Sequence, residues 1–268
     1  MRTQASAHAT GPMTRLVPGL VTSLASALFL VWAPGCGASP SPTPTPTADA
    51  DESNVEAPKP DLRRCKPAPG ASGSPNTIEE AVALANSLPF PVTAECFVEA
   101  LDRPLGVEAT RSENSVQPAM GERSPRIFLW TTDALVLAIV IDGDKRNLVE
   151  FSQFITPRRS VKAELLFPLE APATVETALD RVRNPEHPNI TSCFVCHDNE
   201  RDEPTIPGSR SSLALRPRPS SLVDVNTLLR EHETCDQSTE PDRCRWLEAL
   251  VSHGPIEHRP FDEALSLF

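Results

Sequence analysis

Tyrosine is absent from this sequence, and aromatic side chains make up only 5% of its 268 residues, whereas 29 residues are proline. A chain that is poor in large aromatic side chains and rich in proline does not pack all of its length into a hydrophobic core. A chain of this length can hold one large or two small domains. We therefore expect two small folded units on a linker.

Basic residues are also scarce, because 25 lysines and arginines stand against 36 aspartates and glutamates, which gives a net charge of −11. An anionic molecule is a poor ligand for nucleic acid or for anionic lipid surfaces, and a better partner for basic proteins. The sequence shows no serine–histidine–acid triad signature, no phosphate-cradling loop and no paired-acid site. No motif therefore supports a hydrolase or a kinase, and no nucleic-acid partner is expected.

Residues 1–36 contain only two charges, Arg2 and Arg15, and an apolar run, LVPGLVTSLASALFLVWA, that ends at Pro-Gly-Cys. A short basic start followed by an apolar run predicts an export signal. The sequence leaves open whether Met1 or Met13 is the first residue. A retained membrane helix is the alternative, because the run is just long enough to span a bilayer.

The end of the run, Ala-Pro-Gly-Cys followed by GASPSPTPTPT, resembles the lipobox of bacterial lipoproteins. The resemblance implies that Cys36 becomes the first residue of the mature chain and carries lipid, with plain secretion as the alternative. Residues 37–61 are rich in proline, serine, threonine and acids, which predicts a disordered tether. We expect a protein that is lipid-anchored in the cell envelope of a bacterium, either in the periplasm or at the outer membrane or cell surface.

Six of the seven cysteines remain after Cys36 is assigned to lipid, and they fall into three pairs along the chain. An exported protein can keep disulfides. Proximity along the chain predicts the bridges Cys65–Cys96 and Cys235–Cys244, although other connectivities exist. Their loop lengths give at most about 3.7 and about 2.7 kcal/mol of stabilisation in the chain-entropy model. Cys193 and Cys196, the central pair, are not assigned to either of these bridges.

That central pair lies in Cys193-Phe194-Val195-Cys196-His197. Covalent attachment of haem needs two thiols that reach two vinyl groups of the porphyrin, and an imidazole beside them as the proximal iron ligand. The flanking segments, RNPEHPNITS and DNERDEPTIPGS, are typical of loops and lack the strand that leads into a thioredoxin-like thiol pair. A redox-active or structural disulfide is the first alternative. A zinc site is the second, and the engagement of the other cysteines disfavours it.

The pentapeptide resembles the haem-attachment motif of c-type cytochromes, and the resemblance covers these five residues. It implies that haem c is bound through Cys193 and Cys196 and that His197 is the proximal iron ligand. Small soluble cytochromes supply a methionine as the second ligand, but no methionine follows residue 120 here. We favour His232 as the distal ligand. The other candidates are His187, His253, His258 and Met120, and an open iron position is the alternative.

The remaining pattern predicts an α+β fold. Helical segments at NTIEEAVALANSL and TAECFVEAL precede four segments rich in branched and aromatic residues: RIFLW, ALVLAIVI, NLVEFSQFI and SVKAELLFPL. With a hairpin turn at Asp142-Gly143-Asp144, these predict an antiparallel β-meander with flanking helices over residues 62–170. Residues 171–268 are expected to form a small, mostly helical and loop-like region that carries the haem. Its two disulfide-linked helices would begin at Ser221, in a capping box with Asp224, and near Asp242.

The layout from SPRIFLW through SVKAELLFP into a CxxCH segment resembles exported bacterial proteins with a single haem motif, a likeness that implies no activity. The leading interpretation is a membrane-anchored monohaem c-type cytochrome that transfers single electrons and is not an enzyme. One alternative is a disulfide-stapled structural or binding module without haem, with Cys193–Cys196 as a third bridge. Another is a haem sensor or peroxidase-like enzyme with an open iron site. Acids beside the pentapeptide would steer a basic redox partner: Asp198, Glu200, Asp202 and Glu203.

Overall fold

The computed structural model describes residues 63–268, so the predicted export signal, the tether and Cys36 lie outside the described residues. The α-helices in this range are α1 (Ile78–Asn86), α2 (Ala94–Glu99), α3 (Val175–Asp180), α4 (Val225–Glu233) and α5 (Pro241–Val251). The β-strands are β1 (Leu105–Thr110), β2 (Arg126–Trp130), β3 (Leu135–Val140), β4 (Leu148–Thr156), β5 (Arg159–Leu166), β6 (Arg201–Asp202), β7 (Arg210–Leu213), β8 (Leu215–Arg216), β9 (Leu222–Val223), β10 (Ile256–His258) and β11 (Ser266–Leu267). No helix of the described part is long and apolar enough to cross a membrane.

The predicted α+β class is confirmed, because one large sheet is flanked by helices. The sheet has the strand order β10-β1-β2-β3-β4-β5-β7-β6, and β9 also pairs with β1. The meander from β1 to β5 is antiparallel throughout, whereas β10 runs parallel to β1. A separate pair joins β8 to β11.

The four strands expected from the sequence are β2, β3, β4 and β5, and all four are present. The expected turn lies between β3 and β4, where Gly143 has φ +80°, a conformation that glycine adopts without steric cost. Strands from both sides of the expected boundary at residue 170 join this one sheet, because β7 pairs with β5 and β10 pairs with β1. The described residues all belong to one compact unit.

The two faces of the sheet have different partners, because successive side chains of a strand point to opposite sides. On the first face, Ile127, Leu137 and Phe151 are fully buried in the main core, which also takes in apolar residues of all five helices. On the second face, Phe128 and Trp130 form a smaller apolar cluster with Phe261 and other side chains from the last residues of the chain. The second face is therefore covered by loops and by the C-terminal segment, and this arrangement leaves room for a cavity.

Helix starts follow local capping chemistry. Thr77, Thr93 and Thr174 each accept a hydrogen bond from a backbone N–H in the first turn of α1, α2 and α3. The expected start at Ser221 is wrong: α4 begins at Val225, and Asp224 is its cap, accepting from the Asn226 N–H at 2.8 Å. The Ser221 hydroxyl instead donates to the Arg218 carbonyl within a 3-10 turn.

Both predicted disulfides are confirmed. Cys65–Cys96 links the first described residues to α2, with a sequence separation of 31. Cys235–Cys244 links the end of α4 to α5, with a separation of 9. Such bridges stabilise the fold mainly by restricting the unfolded chain.

Candidate haem site

The CxxCH segment forms a short, internally bonded loop. Ser192–Val195 is a 3-10 turn, and the Thr191 hydroxyl accepts from the Cys193 N–H at 3.1 Å at its start. The His197 N–H donates to the Cys193 carbonyl at 2.8 Å, which closes the turn around the second cysteine. The local sequence thus brings the two thiols and the imidazole onto one compact loop.

A buried carboxylate fastens this loop to the rest of the molecule. Glu200 accepts from the Thr191 N–H at 2.8 Å and from the Thr191 hydroxyl. The Glu200 side chain is only 2% exposed, and Arg210 lies 3.5 Å from it. Hydrogen bonds to a buried charged group are stronger than neutral ones, so this contact fixes the start of the loop.

His197 is oriented in the way that a proximal iron ligand requires. Its Nδ1 lies 2.8 Å from the Leu213 carbonyl oxygen, which can only accept, so Nδ1 carries the proton and Nε2 keeps its lone pair. No hydrogen bond to Nε2 is found among the described residues. Burial, and secondarily the nearby charge of Lys162, lowers the pKa of His197 to about 3, so the ring is neutral.

Cys193 and Cys196 are free thiols. The alternative in which they form a third bridge is therefore not what the structure contains. Cys193 is half-buried, and burial raises its pKa to about 11, whereas Cys196 is exposed. Both thiols remain available for bonds to another group.

A cavity of about 500 Å³ lies between this loop and the second face of the sheet. Cys193, Cys196 and His197 all line it. Its other walls include the apolar side chains Phe128, Val136, Phe154, Val182, Leu215, Phe261 and Phe268. The volume is within the range of small-molecule and cofactor sites, which are lined mostly by apolar and aromatic side chains. An apolar chamber with two thiols and a neutral imidazole on one wall fits a covalently bound porphyrin.

The strand wall of the cavity also carries four charged side chains at alternate positions: Arg126, Glu150, Lys162 and Glu164. Glu150 lies opposite Glu164 across β4 and β5, and Arg126 forms an ion pair with Glu150. Burial, and secondarily the charge of Glu150, raises the pKa of Glu164 to about 7. The strand wall of the cavity thus carries both apolar and ionisable side chains.

Lys162 has hydroxyl groups as its hydrogen-bond partners, whereas the other three charged side chains each lie in an ion pair. Its Nζ donates to the hydroxyls of Ser152 and Ser160, each at 2.8 Å. Burial lowers the pKa of this amine to about 8. The ion pairs found in the described residues include none with Lys162.

The favoured distal ligand, His232, does not line the cavity. It lies on α4, which packs against α5 on the main-core side of the sheet. Its Nε2 is 3.0 Å from the Glu248 carboxylate and 3.1 Å from the Ser252 hydroxyl. The prediction of His232 as the sixth ligand is therefore not supported, because a carboxylate and a hydroxyl already engage the imidazole away from the CxxCH loop.

The other proposed ligands also lie outside the cavity lining. His253 is buried 3.7 Å from the Glu99 carboxylate, and Met120 is 56% exposed. His187 and His258 are exposed as well. Among the residues that line the cavity, His197 is thus the sole histidine, and methionine is absent.

Sequence reasoning did not identify Arg126, Glu150, Lys162 and Glu164 as site residues. A signal for them exists, because each is a charged residue at an alternate position of a predicted strand and all share one face. Charged side chains on the inner face of a covered sheet are unusual and indicate a site.

Comparisons with protein-family models, curated proteins and solved structures give no match to this chain. In the described range, no group of three or more histidine, cysteine, aspartate or glutamate side chains could hold a metal ion. A haem iron needs fewer protein ligands, because the porphyrin supplies the equatorial nitrogens and the protein supplies only axial ones. The haem assignment therefore rests on the geometry of the CxxCH loop and its cavity.

Proposed function

We propose that this chain is an exported, membrane-anchored monohaem c-type cytochrome that transfers single electrons. The observation that carries the proposal is the orientation of His197, whose Nδ1 is bonded to the Leu213 carbonyl while Nε2 is left for a metal beside two free thiols. Cys193 and Cys196 would hold the porphyrin through two thioether bonds, and His197 would be its proximal ligand. The bound haem supplies the one-electron redox chemistry of its iron.

The residues of the chain have three tasks in this proposal. Cys193 and Cys196 hold the porphyrin, and the Leu213 carbonyl keeps the His197 ring in one orientation and increases its basicity. The aromatic walls around Phe128 and Phe261, whose rings lie 5.0 Å apart, would give the porphyrin apolar contacts. Solvent exposure of the haem and the identity of its axial ligands would together set the redox potential.

The same proposal includes a basic redox partner and a lipid anchor. Asp198 and Asp202 are exposed beside the CxxCH loop and can face such a partner, although Asp202 is also paired with Arg210. Glu200 is buried in the loop and has a structural role instead. The anchor at Cys36 and the location in a bacterial cell envelope stay expectations from the sequence.

The proposal is tested by producing the chain in a host with cytochrome c maturation and recording the pyridine haemochrome spectrum of denatured protein. We expect one covalent haem per chain, and its complete loss in the double variant Cys193→Ser/Cys196→Ser. The matched control is Val195→Ser, because Val195 lies in the same pentapeptide and is 88% exposed. This control should keep a full complement of haem.

Colourless wild-type protein would contradict the proposal and would favour the disulfide-stapled binding module. Pigment that acid acetone extracts from the protein would contradict covalent attachment. Pigment that survives in the double serine variant would place the attachment at other residues.

One observation favours a second candidate function, a haem sensor or peroxidase-like enzyme with an open iron site. The cavity lining contains no histidine besides His197 and no methionine, so the usual second ligands of electron-transfer cytochromes are missing there. An iron with an open position binds carbon monoxide rapidly in the ferrous form. Carbon monoxide titration therefore separates the two functions.

A further inference from the structure

Lys162 is a half-buried cation that forms no ion pair with a carboxylate among the described residues. Its Nζ has two hydroxyl acceptors, Ser152 and Ser160. Removing an ammonium from water without an ion-pair partner is costly, and native proteins pair such groups or use them. Lys162 therefore calls for a partner inside the cavity that it lines.

The position of Lys162 relative to the CxxCH loop indicates that partner. Lys162 projects from β5 into the cavity, whereas the thiols and the imidazole reach it from the loop. Its charge acts electrostatically on both Cys193 and His197. The amine and the proximal imidazole thus approach one chamber from two different walls.

We infer that Lys162 is the second axial ligand of the iron, with His197 as the first. This inference rests on the proposed function, since it requires haem at Cys193 and Cys196. The neutral amine of Lys162 gives its lone pair to the iron, and the ammonium proton is released to solvent. The hydroxyls of Ser152 and Ser160 hold the side chain in the chamber and limit its rotamers.

Other polar groups of the cavity are less suited to this role. A guanidinium such as that of Arg126 has only N–H donors and no lone pair to give to iron. One carboxylate oxygen of Glu150 is held by Arg126, and Glu164 lies 4.0 Å from Arg181, so each of these carboxylates has a cation beside it. Among the lining residues, Lys162 and His197 are the ones with a nitrogen that can present a lone pair.

Pairing of Lys162 with a haem propionate is the alternative that an experiment has to separate from ligation of iron. A propionate needs only a positive charge beside it, which arginine also supplies, whereas iron needs a lone pair, which arginine does not supply.

The experiment compares the haem-loaded wild type with Lys162→Leu, Lys162→Arg and the control Lys145→Leu, because leucine has no atom that can bind iron. Lys145 is an exposed turn residue outside the cavity lining. Electron paramagnetic resonance and absorption spectra of the ferric proteins give the spin state, and carbon monoxide titration of the ferrous proteins gives the affinity. We expect the wild type and Lys145→Leu to be low-spin and to resist carbon monoxide. Lys162→Leu and Lys162→Arg should be high-spin and bind it at least tenfold more tightly.

Three results would overturn the inference. A high-spin wild type that binds carbon monoxide as well as Lys162→Leu does would mean an open iron site. A low-spin Lys162→Leu would mean another ligand, and a low-spin Lys162→Arg would mean that only positive charge is needed, as for a propionate. Far-ultraviolet circular dichroism confirms that each variant is folded, and the pyridine haemochrome of the same samples reports separately on the proposed function.

Discussion

At the level of single residues, Thr191 connects the CxxCH pentapeptide to the rest of the molecule. Its hydroxyl accepts from the Cys193 N–H and donates to Glu200, and its own N–H donates to the same carboxylate. The side chain is buried, so water does not replace these bonds easily. The orientation of the first thiol therefore depends on one hydroxyl group.

We expect Thr191→Val to lower the free energy of unfolding by about 2 kcal/mol, because it removes a capping acceptor and leaves Glu200 with one donor fewer. Thr191→Ser keeps the hydroxyl and should stay within about 0.5 kcal/mol of the wild type. Urea unfolding of the haem-loaded protein, followed by tryptophan fluorescence, measures both. Equal loss of stability in the valine and serine variants would contradict this expectation, because the serine variant keeps the hydroxyl and lacks only the methyl group.

The sequence predicts some residues of the site and not others, for a physical reason. Cys193, Cys196 and His197 are neighbours in the chain, so a local motif is enough to group them. Lys162 and Leu213 join them only through sheet register and loop packing, which a single sequence does not display. His232 was favoured because it lies downstream on a periodic segment, but the packing of its helix decides its location.

At the level of secondary-structure elements, the sequence again predicts some parts of the structure and not others. The four strands β2–β5 are runs of branched and aromatic residues with clear turns between them, and their neighbours in the chain are also their partners in the sheet. Strands β6–β11 are two to four residues long, and β10 pairs with β1, which is far from it in the sequence. Such short segments depend on the strand with which they pair, so local propensity is a weak guide to them.

The pair α4 and α5 shows how a buried cation stabilises the C-terminal half. Arg243 is only 5% exposed at its side chain and lies 2.5 Å from Glu231 and 2.8 Å from Glu240. Arg123 also contacts Glu231, at 2.9 Å. Burial alone would raise the pKa of Glu231, but the hydrogen bonds from Arg243 and Arg123 outweigh it and lower the pKa.

A carboxyl with a lowered pKa in the folded state stabilises the fold above its unfolded pKa, and the contribution disappears as the pH falls. We expect Glu231→Gln to lower the free energy of unfolding by about 2 kcal/mol at pH 7, since a buried guanidinium loses a charged partner. The difference from the wild type should shrink below the ordinary glutamate pKa of 4.5. Denaturant titrations at pH 7 and pH 3 measure this.

Glu233→Gln is the matched control, because Glu233 is an exposed residue at the end of the same helix. It should change stability by less than about 0.5 kcal/mol at either pH. If Glu231→Gln lowered the free energy of unfolding as much at pH 3 as at pH 7, the shape of the side chain and not its charge would be responsible.

At the level of the whole molecule, the sheet separates two kinds of environment. One face is closed by helices into a dry core, and the other carries the cavity, with the CxxCH loop and the last residues of the chain above it. Cys196 and Phe194 are exposed on that loop, so an attached porphyrin would have an edge near the surface. An electron carrier needs such an edge, because its partner must approach the cofactor closely.

The charge of the chain determines which partner can approach. The whole sequence has a net charge of −11, and loss of residues 1–36 would remove Arg2 and Arg15 and no acid, which makes the mature chain still more anionic. Summed charges of one sign raise the association rate with a partner of opposite sign, and salt screens this effect. We therefore expect electron exchange with a small basic redox protein to slow by about tenfold between about 10 mM and about 500 mM salt.

Stopped-flow absorbance of the haem-loaded protein measures these rates. A small acidic redox protein should show the opposite slope, because screening relieves its repulsion, and an uncharged reductant should show almost none. The comparison separates steering by charge from a general effect of salt on the haem or on the fold. If the basic and acidic proteins gave the same salt dependence, net charge would not select the partner, and the apolar residues around the exposed loop would have to do so instead.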